Sequence, residues 1–590
     1  MKPVKPLVYY AVSLYLSCIA FIVFTENKSL GAVIAASFLI IIFFTIDKRF
    51  FILICCFFVI GLMANFIYYK AVNLNNIESV RIIKINEFSS IAKVNGRKVL
   101  IDGNLKDIQE GNNIFIKGKF EPKTDYLKGT LGTFYADEVK EGKKDYISSL
   151  YDFKRKTFNK FNQHLTKEKS ALIMSLCFGD TNYLNEDQKN NFKQLGVIHA
   201  ISVSGFHMAV IYKILERFLG IEGSIVVSLL YVIFTGTQPA TVRAFLMIFI
   251  LKLSKKVYKN YDNLSALSLS AILIIIKEPF YAVDIGFVLS YLSTLGIILY
   301  YNKIRRFLYK LPSSINESLS LTLSAQVFSM PYAGMTIGNL SFGFLAGNLI
   351  LLPIYTAFVV IGNSALIVLN FDFIFGVLCK LINLIAIILD GADYILLKIT
   401  PKVSEVSFID CIALLCLITS FILVKKGFKK FNYMPLFVLG MILIQNYNFF
   451  PKVEYVDLKF NDGVIISYKY EKILICSKEI KNTNDLKKLK YTRLIPELKE
   501  NVIINLGRNY SVKAFSLKND KNKSINLEVS AHDSNIILTR NSEEFMDIDL
   551  KKYDIIKVPK KTYFTSNKSF NTNSELKEYR IIFDKIYTLN

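Results

Sequence analysis

Histidine is scarce in this chain of 590 residues: His164, His199, His207 and His532 are all there are. A catalytic zinc centre takes about three protein ligands, so no metal site and no cofactor are expected, least of all toward the C-terminus, where His532 stands alone. The eight cysteines (Cys18, Cys55, Cys56, Cys177, Cys379, Cys411, Cys416, Cys476) are scattered, most of them in apolar stretches and none at metal-ligand spacing, so neither a disulfide framework nor a structural zinc site is implied. A glycine-rich nucleotide loop is also missing, so the chain has no ATP-driven motor of its own. Charge is thin as well. Charged residues make up 20% against 52% hydrophobic, and the apolar runs are too long and numerous for globular cores, which excludes a soluble cytoplasmic enzyme.

What is present is a series of spanning-length apolar segments. Residues 7–24, 30–46 and 50–69 read as three transmembrane helices, a domain over 1–70. The first imitates a signal peptide but lacks a small-residue cleavage site and is followed at once by two more spans, so it is read as retained. Short loops rich in Lys and Arg mark the cytoplasmic side. Lys2 and Lys5, Lys48-Arg49, Lys255-Lys256, Arg305-Arg306 and Lys425 to Lys430 all fall on one side when spans are threaded between them. The expected fold is a polytopic α-helical membrane protein of about 11–13 spans, with three crossings from 197 to 252, the N-terminus inside and the C-terminal domain outside. Much of the membrane segments' share of the +24 net charge is accounted for by this rule, so a basic balance alone is weak evidence for nucleic acid.

Two regions break the apolar pattern. Residues 77–143 hold short strand-like runs, with Asn95-Gly96 giving a type I′ hairpin signal. They predict a small external β-barrel of OB-like form, a fold able to bind a single nucleic-acid strand. Residues 144–165, with Lys154, Arg155, Lys156 and Lys160, predict an amphipathic linker helix on the membrane surface. A polytopic domain over 166–450 follows, and then a β-rich external C-terminal domain over 451–590.

Polar groups inside lipid are costly and mark function by default. Ser204 and His207 are three apart on one helix face, with Gly205 between them. A nucleophile and base is one reading, but no acid orients the imidazole, and packing between helices with interhelical hydrogen bonds is the better one. Gly236 and Pro239 interrupt the next apolar run just before Arg243, a pattern seen where broken helices line a cavity. Asp284, Gln326, Asn348, Asp390 and Asp393 complete the set, the last two placed near the outer end of a span where water reaches them.

Four blocks carry a resemblance: Gly179-Asp180 with 199–207, Gln238 to Ala244, Pro279 with Asp284 to Tyr291, and Ser324-Ala325-Gln326 through Pro331 to Asn348 and Pro353. In order and spacing the chain resembles the ComEC-type competence family of DNA-uptake channel proteins. The resemblance implies a bacterial plasma-membrane channel that carries single-stranded DNA into the cytoplasm during natural transformation, with no catalytic residues of its own. It implies a DNA receptor outside and an ATP-driven helicase inside as partners, beside membrane lipid. Ser204, His207, Arg243, Gln326, Asp284 and Asn348 are the lining candidates, and Gly205, Gly236 and Pro239 the helix breaks. Many relatives end in a metallo-β-lactamase-like domain. Val456-Asp457-Leu458 and Ile473 to Cys476 resemble its opening strands, but the zinc motif is missing, so the tail reads as a degenerate, metal-free version without nuclease activity. The alternatives are a multispan transporter of a small molecule or lipid, and an intramembrane hydrolase on Ser204 and His207.

Overall fold

A computed structural model describes residues 5–458 apart from 71–73, 75–76, 86–88, 104, 106–107, 202 and 402. Beyond 458 it describes residues 461–477, 491–498, 501–506, 510–515, 525–531, 534–539, 554–558, 578–582 and 585–589. Phe88, Ser202 and His532 therefore lie outside the described residues. The chain divides into two compact units, Met1–Cys411 and Ile412–Asn590.

Three helices open the first unit: α1 (Pro6–Glu26), α2 (Lys28–Thr45) and α3 (Lys48–Tyr69). Asn27 starts α2 by accepting a hydrogen bond from the Leu30 amide. α1 and α3 approach closely because Gly61 has no side chain where the Ser17 hydroxyl sits, and the Ser13 hydroxyl donates to the Ile54 carbonyl at 2.8 Å. Small residues let these backbones meet in lipid.

The strands β1 (Ile77–Lys84), β2 (Ser90–Val94), β3 (Arg97–Asp102), β4 (Asn113–Glu121) and β5 (Thr130–Glu141) close into a small barrel in the order β1-β2-β3-β5-β4. β1 pairs with β4 to close it, and β3 with β5 is its parallel pair. The expected hairpin turn is present: Asn95 and Gly96 both have positive φ, 48° and 82°. Alternation along β4 puts Ile114 and Ile116 inside and Phe115 and Lys117 outside.

Helices α4 (Tyr146–His164), α5 (Lys167–Phe178), α6 (Glu186–Gln194), α7 (Ile198–Ile201), α8 (Gly205–Phe234), α9 (Pro239–Lys256) and α10 (Asn263–Lys277) follow. A single 3₁₀ turn, Pro279–Ala282, leads to α11 (Ile285–Phe307), α12 (Ser313–Ile337), α13 (Phe344–Ile367) and α14 (Asp372–Ile399). The two-residue strands β6 (Asn339–Leu340) and β7 (Ser404–Glu405) pair, and α15 (Phe408–Lys425) and α16 (Met434–Asn446) complete the helices. Among the described residues eight helices are long and apolar enough, by length and composition, to cross a membrane: α1, α2, α3, α8 taken from end to end, α11, α13, α14 and α15. The protein is a multi-pass membrane protein. The lower count than the sequence suggests has physical causes: α9 carries Arg243 and three lysines, α12 is rich in hydroxyl side chains, and α10 and α16 are short.

α8 is not one straight rod. Gly220 interrupts it at φ 67° and ψ −173°, leaving two arms of about 21 Å each at 1.5 Å per residue. The start of α8 lies against Arg243, Glu216 and Glu222 pair with Lys252 and Lys256 at the far end of α9, and the Thr237 amide returns to the Val232 carbonyl. The chain therefore doubles back at Gly220, so three helical arms fill the stretch 205–256.

α4 is covered by protein on its apolar side: Phe158 and Phe161 belong to the main buried cluster with Phe178, Phe358 and Phe375, so this face does not lie on lipid. Two contacts fasten the barrel to the helices. Phe280, 1% exposed, enters the barrel's own core beside Tyr68 and Tyr69 of α3, with Lys98 Nζ 3.9 Å from its ring centre. Next to it Lys93 pairs with Glu278 at 2.9 Å. Beside it, since Arg81 of β1 stands directly across from Lys93 of β2, Arg81 pairs with Asp145, Tyr151 of α4 packs where a side chain on Gly111 would stand, and the Ser148 hydroxyl donates to the Gly111 carbonyl.

The second unit holds β8 (Asn448–Leu458), β9 (Asn461–Lys469), β10 (Glu471–Cys476), β11 (Arg493–Ile495), β12 (Val502–Asn505), β13 (Tyr510–Phe515), β14 (Asn526–Ala531), β15 (Ser534–Thr539), β16 (Asp554–Lys557), β17 (Glu578–Ile582) and β18 (Lys585–Leu589). They form two sheets, β11-β10-β9-β8-β17-β18 and β12-β13-β14-β15-β16. Val453, Val464 and Ile475 of the first share one core with Val512, Leu527 and Leu538 of the second.

Phe280→Ala should empty part of the barrel core and cost about 3–5 kcal/mol. The thermal midpoint and protease resistance of the barrel in the purified full chain report this; unchanged values would refute the fastening. Hydrogen bonds from Arg81 hold the Asp145 carboxyl down at about 2. Its folded value lies below the ordinary carboxylate value of about 4, so its stabilisation is complete above that and is lost as pH falls from about 4 toward 2. Asp145→Asn should remove that acid-dependent step from a pH titration of the thermal midpoint.

Candidate functional site

Ser204, Gly205, Gly236, Pro239 and Asp284 stand at helix ends and interruptions, whereas Gln326, Asp390 and Asp393 lie within helices. Between α7 and α8 the helix breaks, and Ser204 is the cap that restarts it. Its hydroxyl accepts from the His207 amide at 3.5 Å, while His207 Nδ1 accepts from the Ser204 amide at 3.4 Å. The imidazole is 1% exposed and Nε2 has no hydrogen-bond partner. Among the described hydrogen bonds none joins the Ser204 hydroxyl to the imidazole, so the pair forms a capping box and not a nucleophile with its base.

Arg243 lies over this restart. A Cβ on Gly205 would meet its Nη2 at 2.7 Å, so glycine is what admits the guanidinium there. Arg243 Nε donates to the Ser290 hydroxyl at 2.9 Å, Nη1 reaches Met247 Sδ at 3.8 Å, and Tyr291 presents its ring 6.0 Å away. The Tyr291 hydroxyl is in turn 2.9 Å from that of Ser270. Among the described residues no carboxylate pairs with Arg243. A guanidinium with neutral partners only, beside a fresh helix N-terminus, is an arrangement able to take an anionic group. Ser290 and Tyr291, its immediate partners, stand in the stretch from Asp284 to Tyr291 but are not among the candidates that the sequence offers.

The other candidates are placed as follows. Gly236, at φ 86°, and Pro239, the first residue of α9, form the turn between α8 and α9, where Gln238 Nε2 donates to the Gly179 carbonyl at 3.1 Å. Asp284 caps α11 by accepting from the Phe287 amide at 2.8 Å, which occupies one carboxylate oxygen in building the helix. Gln326 is half-buried on α12 and accepts from the Ser329 hydroxyl at 3.2 Å. Asn348 is buried on α13, with Oδ1 unpartnered, and lines a cavity of about 320 Å³ with Phe206, Tyr301, Glu317, Ser318 and Leu352. Phe206 thus joins the α7–α8 break to that cavity. Asp390 is exposed, and Asp393 is half-buried with Oδ1 unpartnered.

A second polar cluster sits where the Gly179-Asp180 block meets the barrel. Lys154 is 6% exposed, donates to the Phe178 carbonyl at 3.4 Å and lies between the Tyr151 and Phe234 rings. Burial lowers its pKa against the pull of Asp180 and Glu110, and burial likewise raises that of Glu110, which accepts from Ile85 and Asn182. Among the described residues no group of three His, Cys, Asp or Glu side chains could hold a metal.

Residues 176–428 match the model of a family described as competence protein. ComE operon protein 3 of Bacillus subtilis (strain 168) is 26% identical over 214 residues, 35% of this chain and 27% of that protein. An uncharacterized protein of Aquifex aeolicus (strain VF5) is 25% identical over 369 residues, 58% of this chain and 85% of that protein. The uncharacterized protein MG316 of Mycoplasma genitalium is 31% identical over 148 residues, 23% of this chain and 38% of that protein. The matched stretch thus spans about a quarter of the Bacillus protein's length. No solved structure matches.

Glycine positions separate contact with the guanidinium from packing between backbones. Gly205→Ala should displace only the flexible end of Arg243 and leave stability within about 1 kcal/mol. Gly296→Ala should cost more, about 1–3 kcal/mol, because its Cβ would run into the Ser324 carbonyl of the neighbouring helix. Thermal unfolding of both variants in the same detergent checks the order.

Proposed function

Taking as premise that this chain is, over residues 176–428, a ComEC-type competence protein, we propose that it carries single-stranded DNA across the bacterial plasma membrane during natural transformation. The observation that carries the reading is Arg243: a cation held at the α7–α8 break with no carboxylate partner among the described residues, beside a helix start that offers amides. A phosphodiester is the group that such a place suits in a polyanion path. Asn348 and Gln326 would continue the polar lining, and Ser204 and His207 would hold the break open by their mutual cap.

The topology we propose puts the N-terminus and the loop 252–262 inside and the barrel outside. Lys5 pairs with Asp262 at the start of α10, whereas the far end of α10 leads into the turn that carries Phe280 into the barrel. These contacts support the barrel and the N-terminus lying at opposite ends of the bundle. The barrel's strand order, with its parallel β3–β5 pair, supports the OB-like reading and a role in receiving the strand. The C-terminal sheets are read as a metal-free domain outside the membrane. A receptor outside and an ATP-driven helicase inside would complete the system.

A transporter of a small molecule is the second reading, favoured by the 320 Å³ cavity at Asn348, a volume in the range of small-ligand sites. Uptake of labelled DNA separates the two in a deletion strain complemented with wild type, Arg243→Ala or His207→Ala. Loss of a charge-assisted contact should reduce internalised DNA about tenfold or more in Arg243→Ala. The His207→Ala strain should fall less, since that side chain acts through the Ser204 cap. Equal internalisation with and without the gene would remove the DNA reading and leave the small-molecule one.

A further inference from the structure

The corner between α11 and α12 holds a feature that the DNA path does not use. A cavity of about 470 Å³ opens there, lined by Asn302, Arg305, Arg306, Tyr309, Ser313 and Asn316, with Leu311 on its wall. Arg305 is committed: its Nη2 pairs with Glu317 at 2.6 Å, and its backbone carbonyl accepts from Asn316. Arg306 has no such bond among the described residues, so one guanidinium faces the cavity without a counter-charge. The first turn of α12 carries no acidic side chain to neutralise it.

The surroundings are apolar. Phe307 is 82% exposed and Tyr309 71%, and Leu311 and Ile315 are exposed beside them. α11 is one of the helices fit to span a bilayer, so its C-terminal end meets the membrane surface. A cavity with a free cation and amide or hydroxyl donors at its mouth, rimmed by exposed aromatic and aliphatic groups, matches a ligand that is anionic at one end and oily at the other. The clustering of arginines in a loop follows the topology rule, but that rule requires neither a cavity nor an aromatic wall.

We propose that this corner binds the phosphate headgroup of an anionic phospholipid, with Arg306 as its principal contact and Tyr309 and Leu311 against the upper acyl chain. The site borders the candidate path: Arg305 lines this cavity, and its partner Glu317 lines the one that contains Asn348. A headgroup that draws on Arg305 would compete with Glu317 and so act on the wall between the two cavities.

The test is thermal unfolding of the purified full chain in neutral detergent, titrated with phosphatidylglycerol or with phosphatidylcholine. Phosphatidylglycerol should raise the midpoint saturably and phosphatidylcholine should not. Arg306→Gln should need about fivefold more phosphatidylglycerol for half the effect, and Arg306→Lys should recover part of it. Lys255→Gln, in another basic loop, should behave as wild type. Equal responses to the two lipids, or equal loss in Lys255→Gln, would overturn the site. The same shift from inorganic phosphate, or from a short oligodeoxynucleotide that displaces the lipid, would overturn the lipid as its occupant.

Discussion

A helix that begins inside a membrane leaves amides that water cannot reach, and the way those amides are met organises much of this protein. Ser204 and His207 meet them reciprocally at the start of α8, and Asp284 accepts from an amide at the start of α11. Capping of this kind lets the chain stop and restart where a continuous apolar helix would leave no room for charge. Arg243 occupies such a room. Its neighbours are a hydroxyl, a thioether and an aromatic face, each of which tolerates a guanidinium without neutralising it.

Much of the architecture is legible in the sequence because its signals are local. Asn95-Gly96 specifies a hairpin by its own backbone preference, and alternation along β4 states which side chains face inward. The apolar runs of α1 to α3 need no tertiary knowledge to be read as spans. The chemistry at the candidate site is less legible, since a serine and a histidine three apart fit a catalytic pair, a packing contact and a cap equally well. Only the backbone course decides, and it makes them a cap. Asp284 is a similar case: a carboxylate next to an apolar run gives no sign in the sequence that one of its oxygens caps a helix through the Phe287 amide.

Other features are invisible for a different reason: they depend on pairs distant in sequence. The reversal at Gly220 is accompanied by Glu216 and Glu222 pairing with lysines on α9, and its local signs are Gly220 itself and the flanking Glu216, Arg217 and Glu222. α4 reads as amphipathic, which fits a membrane surface as well as a protein groove. Phe158 and Phe161 find the groove because α5 and α14 supply Phe178 and Phe375. The Pro279 block likewise gives no hint that Phe280 belongs to the core of a domain some two hundred positions earlier in the chain.

That last contact has a mechanical consequence. A domain joined to a bundle by one linker can nod and swivel about it, and whatever it grips arrives at a spread of angles. Here Phe280 and Lys93 bind the barrel to the turn between α10 and α11 while Tyr151 and Arg81 bind it to α4, with Arg81 and Lys93 side by side across β1 and β2, so turning about the linker would have to break several contacts at once. Anything seated on its outer surface would stand at a set distance and heading from the helices beneath, without a search through space.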